Sequence, residues 1–429
     1  MIKISALSEL AEGDILSREF SYDDSAEQIV TDIIEDVRKW GDAALLEYTK
    51  KFDGAALSSI EVTKGEFDDA LAGIDPYFLE TLKKARDNIL EFHKHQLHDN
   101  FVLAEKEGVI LGQKYTPIAK VGIYVPGGTA AYPSSVLMNA VPAKLAGVEE
   151  IIMVTPPQKD GSVPAVILAA AHIAGVDRVF KVGGAQAIAA LSYGTQTVPK
   201  VHKIVGPGNK YVATAKRRVF GLVDIDMIAG PSEILIIADE TANPRHVAAD
   251  LLSQAEHDID ASAVLVTPSE ELAEAVSKEL ECQIPLLPRA EICRQSIDNN
   301  GRIIIAGSLK EAAETANRIA PEHLELCVDE PFALLGLIKN AGSIFLGKHT
   351  PEALGDYFAG PNHVLPTGGT AKFSSPLSVD DFVKKSSFIY YTKEALGAVA
   401  DRVADFAKRE GLDAHARSAT CRFEDTAND

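Results

Sequence analysis

Four short stretches of the chain carry side chains that can move protons or hold a cation. In DLLSQAEHD, Asp250, Gln254 and His257 are spaced by four and three, so a helix puts them on one face. An imidazole and an amide oxygen one turn apart suit a cation such as zinc, and they suit a solvated helix face equally. Pro321-Glu322-His323-Leu324-Glu325 sets two proton acceptors side by side ahead of a strand-like run, where either a general base or a surface ion pair fits. Gly355-Asp356-Tyr357-Phe358-Ala359-Gly360-Pro361-Asn362-His363 combines glycines that allow close approach with Asp356 and His363 as donors, or forms an Asx-type turn. Glu410-Gly411-Leu412-Asp413-Ala414-His415 follows a helical run, and a histidine there caps the last carbonyls or reaches a ligand.

Other polar clusters are weaker. His93-Lys94-His95-Gln96-Leu97-His98 holds three histidines, but only His95 and His98 share a helix face, and the stretch reads as a solvated surface. Cys282, Cys293, Cys327 and Cys421 show no CxxC spacing, which argues for reduced thiols and against a thiolate metal site. Cys327 would stand on the same strand face as His323, about 13 Å along, too far for a shared covalent mechanism. No GxGxxG with an acid about twenty residues on is present, so the usual dinucleotide fingerprint is missing. Instead, Pro126-Gly127-Gly128, Gly183-Gly184-Ala185-Gln186 and Gly206-Pro207-Gly208-Asn209-Lys210 are turns that either present backbone N–H groups to a phosphate or simply turn.

These stretches need a scaffold, and the patterning predicts an α/β one. Apolar residues recur at three and four from about Ser21 to His98, so helices should cover the first hundred residues. Beyond Tyr115, β-rich runs such as KVGIYVPG, EIIMVTPP and RVFKVGG alternate with Ala-rich helical stretches, the pattern of a parallel sheet. A second series from ILIIADE to GSIFLG repeats it. The expected organisation is a helical N-terminal segment (1–115), a first α/β unit (116–230), a second (231–347), and a loop with a C-terminal helical tail (348–429).

Composition narrows the function. The chain has 429 residues, 46% hydrophobic and 24% charged, which at about 150 residues per domain is a multidomain globular protein. Lys+Arg 42 against Asp+Glu 62 gives a net charge of −20, unfavourable for nucleic acid or anionic membrane. No apolar run approaches the roughly 18 residues of a membrane span, and no signal-like start is visible, so cytoplasm is the expectation.

Taken together, IYVPGG, VGGAQAIAAL, VGPGNKYV, MIAGPSEILIIAD, DLLSQAEHD, APEHLEL, GDYFAGPNHVLPT and EGLDAH, in this order from Tyr124 to His415, resemble the histidinol dehydrogenases. The resemblance implies two incomplete Rossmann-like units and oxidation of L-histidinol to L-histidine, the end of histidine biosynthesis, with two NAD consumed. It implies one zinc on Gln254, His257, Asp356 and His415, proton transfer by Glu322 and His323, and NAD contacts at Tyr124, Gln186 and Asn209. Substrate contacts fall on Ser232, His323 and Glu410 together with the zinc ligands. It further implies a homodimer whose tail crosses to the partner and completes a shared active site, and a zinc that orients the substrate's nitrogens. His323, with a pKa near neutrality, would take the hydroxyl proton, and Glu322 would activate water for the aldehyde. A zinc hydrolase with Glu322 as base and no NAD is the alternative.

Overall fold

A computed structural model describes residues 1–10, 24–127 and 131–424. Met1–Gln96 together with Ile118–Phe382 forms one compact unit, and Leu97–Pro117 with the chain from Val383 onward forms another.

The first unit contains two parallel sheets with one strand plan. From the central strand Lys120–Tyr124, Glu150–Thr155 and Arg178–Lys181 are added on one side, and Lys203–Val205 and Asp224–Ile225 on the other. The second sheet repeats this around Glu233–Ala238, with Ser262–Thr267 and Arg302–Ile305 on one side and His323–Cys327 and Ser343–Leu346 on the other. The reversal beside each central strand is the half-Rossmann topology, and it opens a crevice at the carboxyl ends of the strands. All six residues of Glu233–Ala238 are buried, as expected for a parallel strand covered on both faces. The crossover helix Pro244–Ala255 starts where the sequence predicts: the Asn243 side chain accepts from Arg245 N at 3.0 Å, and Pro244 occupies the first turn.

The N-terminal helices Asp24–Trp40, Asp42–Phe52, Lys64–Gly73 and Pro76–His93 belong to this unit. Their apolar spacing buries Val30, Ile33 and Val37 with Ile188 and Leu191 in one core, each side chain contributing about 1.5–3 kcal/mol. The expected helical start at Ser21 lies outside the described residues. Helix does not cover the first hundred residues entirely: Lys3–Ala6 is a strand that pairs in parallel with Arg302–Ile305 and extends the second sheet. Four residues are too few to show a period, and a partner three hundred positions away decides their conformation.

The second unit is built on an antiparallel sheet in the order Val383–Tyr391, Val109–Pro117, Phe101–Lys106. The strand Val383–Tyr391 runs through what the sequence presents as loop up to Ser387. Its first half, Val383-Lys384-Lys385-Ser386-Ser387, has no apolar alternation to read, so pairing alone specifies it. The helical tail is interrupted: Lys393–Gly397 and Ala400–Arg409 are separate helices, followed beyond Gly411 by Asp413–Thr420.

Candidate active site

Ser232 immediately precedes the strand Glu233–Ala238, and Glu322 precedes its neighbour His323–Cys327. The amino ends of these strands therefore bring together a half-buried serine and two buried proton carriers. Glu233 N donates to Glu322 Oε2 at 2.9 Å. His323 Nδ1 lies 2.9 Å from the Glu233 carbonyl oxygen; a carbonyl only accepts, so Nδ1 carries the proton. His323 Nε2 is buried without a hydrogen-bond partner. It points at Asp356 Oδ1, 3.5 Å away, and Glu352 Oε1, 3.8 Å away, both too long for firm hydrogen bonds. Ala320, one residue before the Pro321-Glu322 step, adopts φ 54, the one non-glycine at positive φ among the described residues. A left-handed alanine costs about 1–2 kcal/mol, and such residues collect at functional sites.

Asp356 sits in a π-helical turn, Gly355–Ala359, continuing the short helix Glu352–Leu354; such turns are frequent at functional sites. Glu352 Oε2 accepts from Ser253 Oγ at 2.8 Å, and Glu352 N donates to Glu325 Oε1 at 2.8 Å. His363 Nδ1 donates to the Asp356 carbonyl at 3.0 Å. The loop between them is held by Asn362, which donates to Met138 O at 2.7 Å and lies 3.4 Å from His93 Nε2. His93 is therefore no solvated histidine: it is fully buried, and burial lowers its pKa despite its bond to the Ile89 carbonyl. Gly360 takes φ 116 where an added Cβ would lie 2.6 Å from Asn88 O, so only glycine fits this close approach.

Along the helix Pro244–Ala255 the expected face divides. Gln254 is 1% exposed, and neither amide atom has a hydrogen-bond partner. Unpaired buried amides are rare and costly, so this one points to a ligand. His257 lies in the turn just beyond and feels the charges of Asp356 and His323. Asp250 turns to Glu325 instead, and the two carboxyls hydrogen-bond to each other. Burial pushes Asp250 up to about 6 and Glu325 well above the usual range, so this pair shares a proton.

The electrostatics around His323 depart from a near-neutral imidazole. Burial alone would discharge it, but Glu322, Asp356 and Glu352 outweigh burial and push its pKa up to about 10. Burial lifts Glu322 to about 7, partly countered by the His323 charge. Burial and the neighbouring Asp356 lift Glu352 to about 8. Asp356 itself is lowered: burial opposes ionisation, but His323 and His363 prevail. Burial lowers His257, with Asp356 pulling the other way. The cluster is thus rich in carboxylates beside an unpartnered amide, a donor set of N and O atoms that suits zinc. His323, Glu352 and Asp356 also stand close enough for one ion. Cys327 is buried and pushed up to about 12, first by burial and then by Glu325, so it supplies no thiolate.

A separate cavity of about 1120 Å³ opens in the same unit, lined by Tyr124, Gln186 and Asn209 among others. Tyr124 ends the central strand of the first sheet, Gln186 follows Arg178–Lys181 and Asn209 follows Lys203–Val205, so the cavity sits at the carboxyl-end crevice. Gln186 Oε1 is buried without a partner. Asn209 Oδ1 is committed to capping Tyr211 N and Val212 N, leaving its amide nitrogen for a ligand. Gly206 takes φ 109, and a Cβ there would collide with the Tyr124 carbonyl. Of the expected phosphate turns, Gly128 lies outside the described residues.

Nine of the expected site residues therefore gather in two places of the first unit: Ser232, Gln254, His257, Glu322, His323 and Asp356 belong with the second sheet, and Tyr124, Gln186 and Asn209 with the first. Glu410 and His415 are exposed in the second unit, at the end of Ala400–Arg409 and within Asp413–Thr420. Sequence reasoning missed Glu352 and Glu233. Glu352 was within reach, since it stands four before Asp356 and hence one turn away; Glu233 acts through its backbone, which leaves no mark in residue type.

The histidinol dehydrogenase family pattern matches residues 16–423. The chain belongs to the histidinol dehydrogenase family. Histidinol dehydrogenase of Bacillus cereus is 57% identical over 403 residues, 94% of each chain, and that of Clostridium acetobutylicum is 58% identical over 392 residues, 91% of each. The crystal structure of histidinol dehydrogenase from Elizabethkingia anophelis superposes with a TM-score of 0.93 at 38% identity, covering 98% of both chains. Membership in this family makes the chain an oxidoreductase enzyme. Among the described residues, no helix is long and apolar enough to cross a membrane.

Proposed function

We propose that this enzyme oxidises L-histidinol through bound histidinaldehyde to L-histidine, with zinc and NAD. The observation that carries the reading is a buried, unpartnered Gln254 amide three residues before His257, which feels the charge of Asp356, itself 3.5 Å from His323 of the Glu322-His323 step. Gln254, His257 and Asp356 would hold the zinc, with His415 as the fourth ligand. Held by these residues, zinc would supply a positive charge that orients the substrate's nitrogens and favours the neutral, proton-accepting form of His323. Tyr124, Gln186 and Asn209 would hold NAD, which accepts one hydride in each half-reaction.

The chain's own groups then divide the proton work. His323 Nε2, with Nδ1 fixed by the Glu233 carbonyl, takes the hydroxyl proton as hydride leaves the alcohol carbon, giving the aldehyde. Glu322, poised near neutrality, takes a proton from the water that adds to the aldehyde, and the hydrate loses the second hydride and a further proton to become the carboxylate. Ser232 and Glu410 would position the substrate. We place the enzyme in the cytoplasm as a homodimer with shared sites, in keeping with its four free cysteines. Incubation with histidinol and NAD tests the reading: two NADH should form per histidine. Product without NADH would favour a hydrolase and overturn it.

A further inference from the structure

The dinucleotide fingerprint normally brings an acid to the adenosine ribose from downstream of the glycine-rich turn, and this chain has none in that place. The large cavity nevertheless contains an acid, Asp53, delivered from upstream. It is the residue that closes the helix Asp42–Phe52, its backbone N donating to Thr49 O at 2.9 Å. That bond fixes the backbone and leaves the carboxyl free to face the lining.

The carboxyl of Asp53 is in an unusual state. Its Oδ2 is buried without a hydrogen-bond partner. Burial pushes its pKa up to about 6, and no neighbouring cation or donor counters the shift. A helix-closing aspartate could turn to solvent, so a half-buried and unpaired carboxylate is a cost that folding alone does not explain. Tyr124, which lines the same cavity, feels its charge, although burial is the main cause of that tyrosine's rise to about 12. The Tyr124 hydroxyl accepts from Gly184 N at 3.1 Å and makes no bond to Asp53 Oδ2, which is left without a donor.

The rest of the lining suits one end of a dinucleotide. Ile29, Ile33, Phe52 and Pro157 offer apolar surface for a base, and Lys51 and Lys159 stand on the wall as cations for a pyrophosphate. A ribose diol supplies two hydroxyl donors to a carboxylate, whereas a 2′-phosphate supplies negative charge and no donor at neutral pH.

We infer that Asp53 receives the adenosine ribose hydroxyls and makes this site select NAD over NADP. This rests on the reading of the cavity as the NAD site and adds a residue that sets its specificity.

Calorimetric titration of the full-length, zinc-loaded protein with NAD, NADP, AMP and 2′-deoxy-AMP tests it without turnover. The unchanged protein should bind NAD more tightly than NADP and AMP more tightly than 2′-deoxy-AMP. Asp53→Asn should weaken NAD by about tenfold or more, the loss expected for hydrogen bonds to a charged group. It should also narrow both discriminations, with NADP binding held or improved. Asp53→Ser, smaller and uncharged, should act the same way, and thermal melting should show both variants folded. If the folded variants keep both discriminations, Asp53 does not read the ribose, although the cavity remains the NAD site. If the unchanged protein binds neither NAD nor AMP, the cavity reading and this inference fall together.

Discussion

His323 donates from Nδ1 to the carbonyl oxygen of Glu233 on the neighbouring strand, 2.9 Å away. Because the two strands are parallel neighbours with His323 opposite Ile234, sheet register itself sets the tautomer and aims Nε2 at the carboxylates. The same residue, Glu233, gives its amide to Glu322. One backbone position therefore holds both members of the proton-transfer pair, by two bonds that a side-chain substitution at Glu233 does not remove.

The two oxidations should separate at this pair. His323→Asn removes the base for the hydroxyl proton, and alcohol oxidation should fall by roughly 10²–10⁴-fold. Glu322→Gln keeps the size and can still accept from Glu233 N, but it cannot take a proton from water, so aldehyde oxidation should suffer more. Histidinaldehyde supplied directly should partly rescue His323→Asn and leave Glu322→Gln slow. Equal loss of both half-reactions in the two variants would replace this division with a shared role.

Zinc content should depend on residues distant in sequence. Gln254→Ala, His257→Ala and Asp356→Ala should each lower bound zinc, measured by elemental analysis after dialysis, while melting temperature changes little. Chelation of the unchanged protein should abolish turnover, and zinc should restore it. His95→Ala, at an exposed surface histidine, should do neither. Full zinc occupancy in Asp356→Ala would remove it from the ligand set.

How far the sequence shows this site depends on the range of the interactions. The helix bearing Gln254 is legible because Asn243, Pro244 and the apolar spacing all act within a few residues. The three-stranded sheet is not, because Val383–Tyr391 depends on partners such as Val109 and Pro117 far up the chain. His93 shows the same limit: its flanking lysine and its exposed neighbours suggest solvent, while Asn362, 269 positions away, shares its buried pocket. The spacing of Asp250 with Gln254 and His257 suggests one helix face, yet the helix ends at Ala255 before His257 and Glu325 draws Asp250 into a carboxyl pair of its own. The pKa of His323 is invisible in sequence, since Asp356 and Glu352 from a distant segment join its neighbour Glu322 in setting it.

An acid-sensitive tie should appear away from the site. Glu66 accepts from Thr63 N at 2.7 Å in a capping box and from Lys181 Nζ at 2.8 Å. Burial raises its pKa, but Lys181 and Thr63 more than offset this and leave it lowered. A carboxylate with a lowered folded pKa stabilises above its unfolded value and loses that contribution as pH falls through the folded one. Glu66→Gln should thus cost about 1 kcal/mol at neutral pH, a figure kept small by partial exposure. The difference from the unchanged protein in urea unfolding should shrink as pH drops to about 4 and below, the ordinary carboxylate range. A difference independent of pH would assign the effect to packing.

Mixing inactive variants should show whether sites are shared between chains. Glu410 and His415 are exposed on the second unit, while Gln254, His257 and Asp356 belong to the first. If the partner subunit supplies His415, a heterodimer of His257→Ala and His415→Ala has one site carrying both lesions and one carrying neither. Random exchange makes half of the dimers mixed, each with one intact site, so about a quarter of normal activity should return. If instead each site is built from a single chain, every site in the mixture keeps one lesion, and activity stays at the level of the separate variants. Exchange must be verified by differential tagging, because both outcomes then assign His415 to one chain or the other.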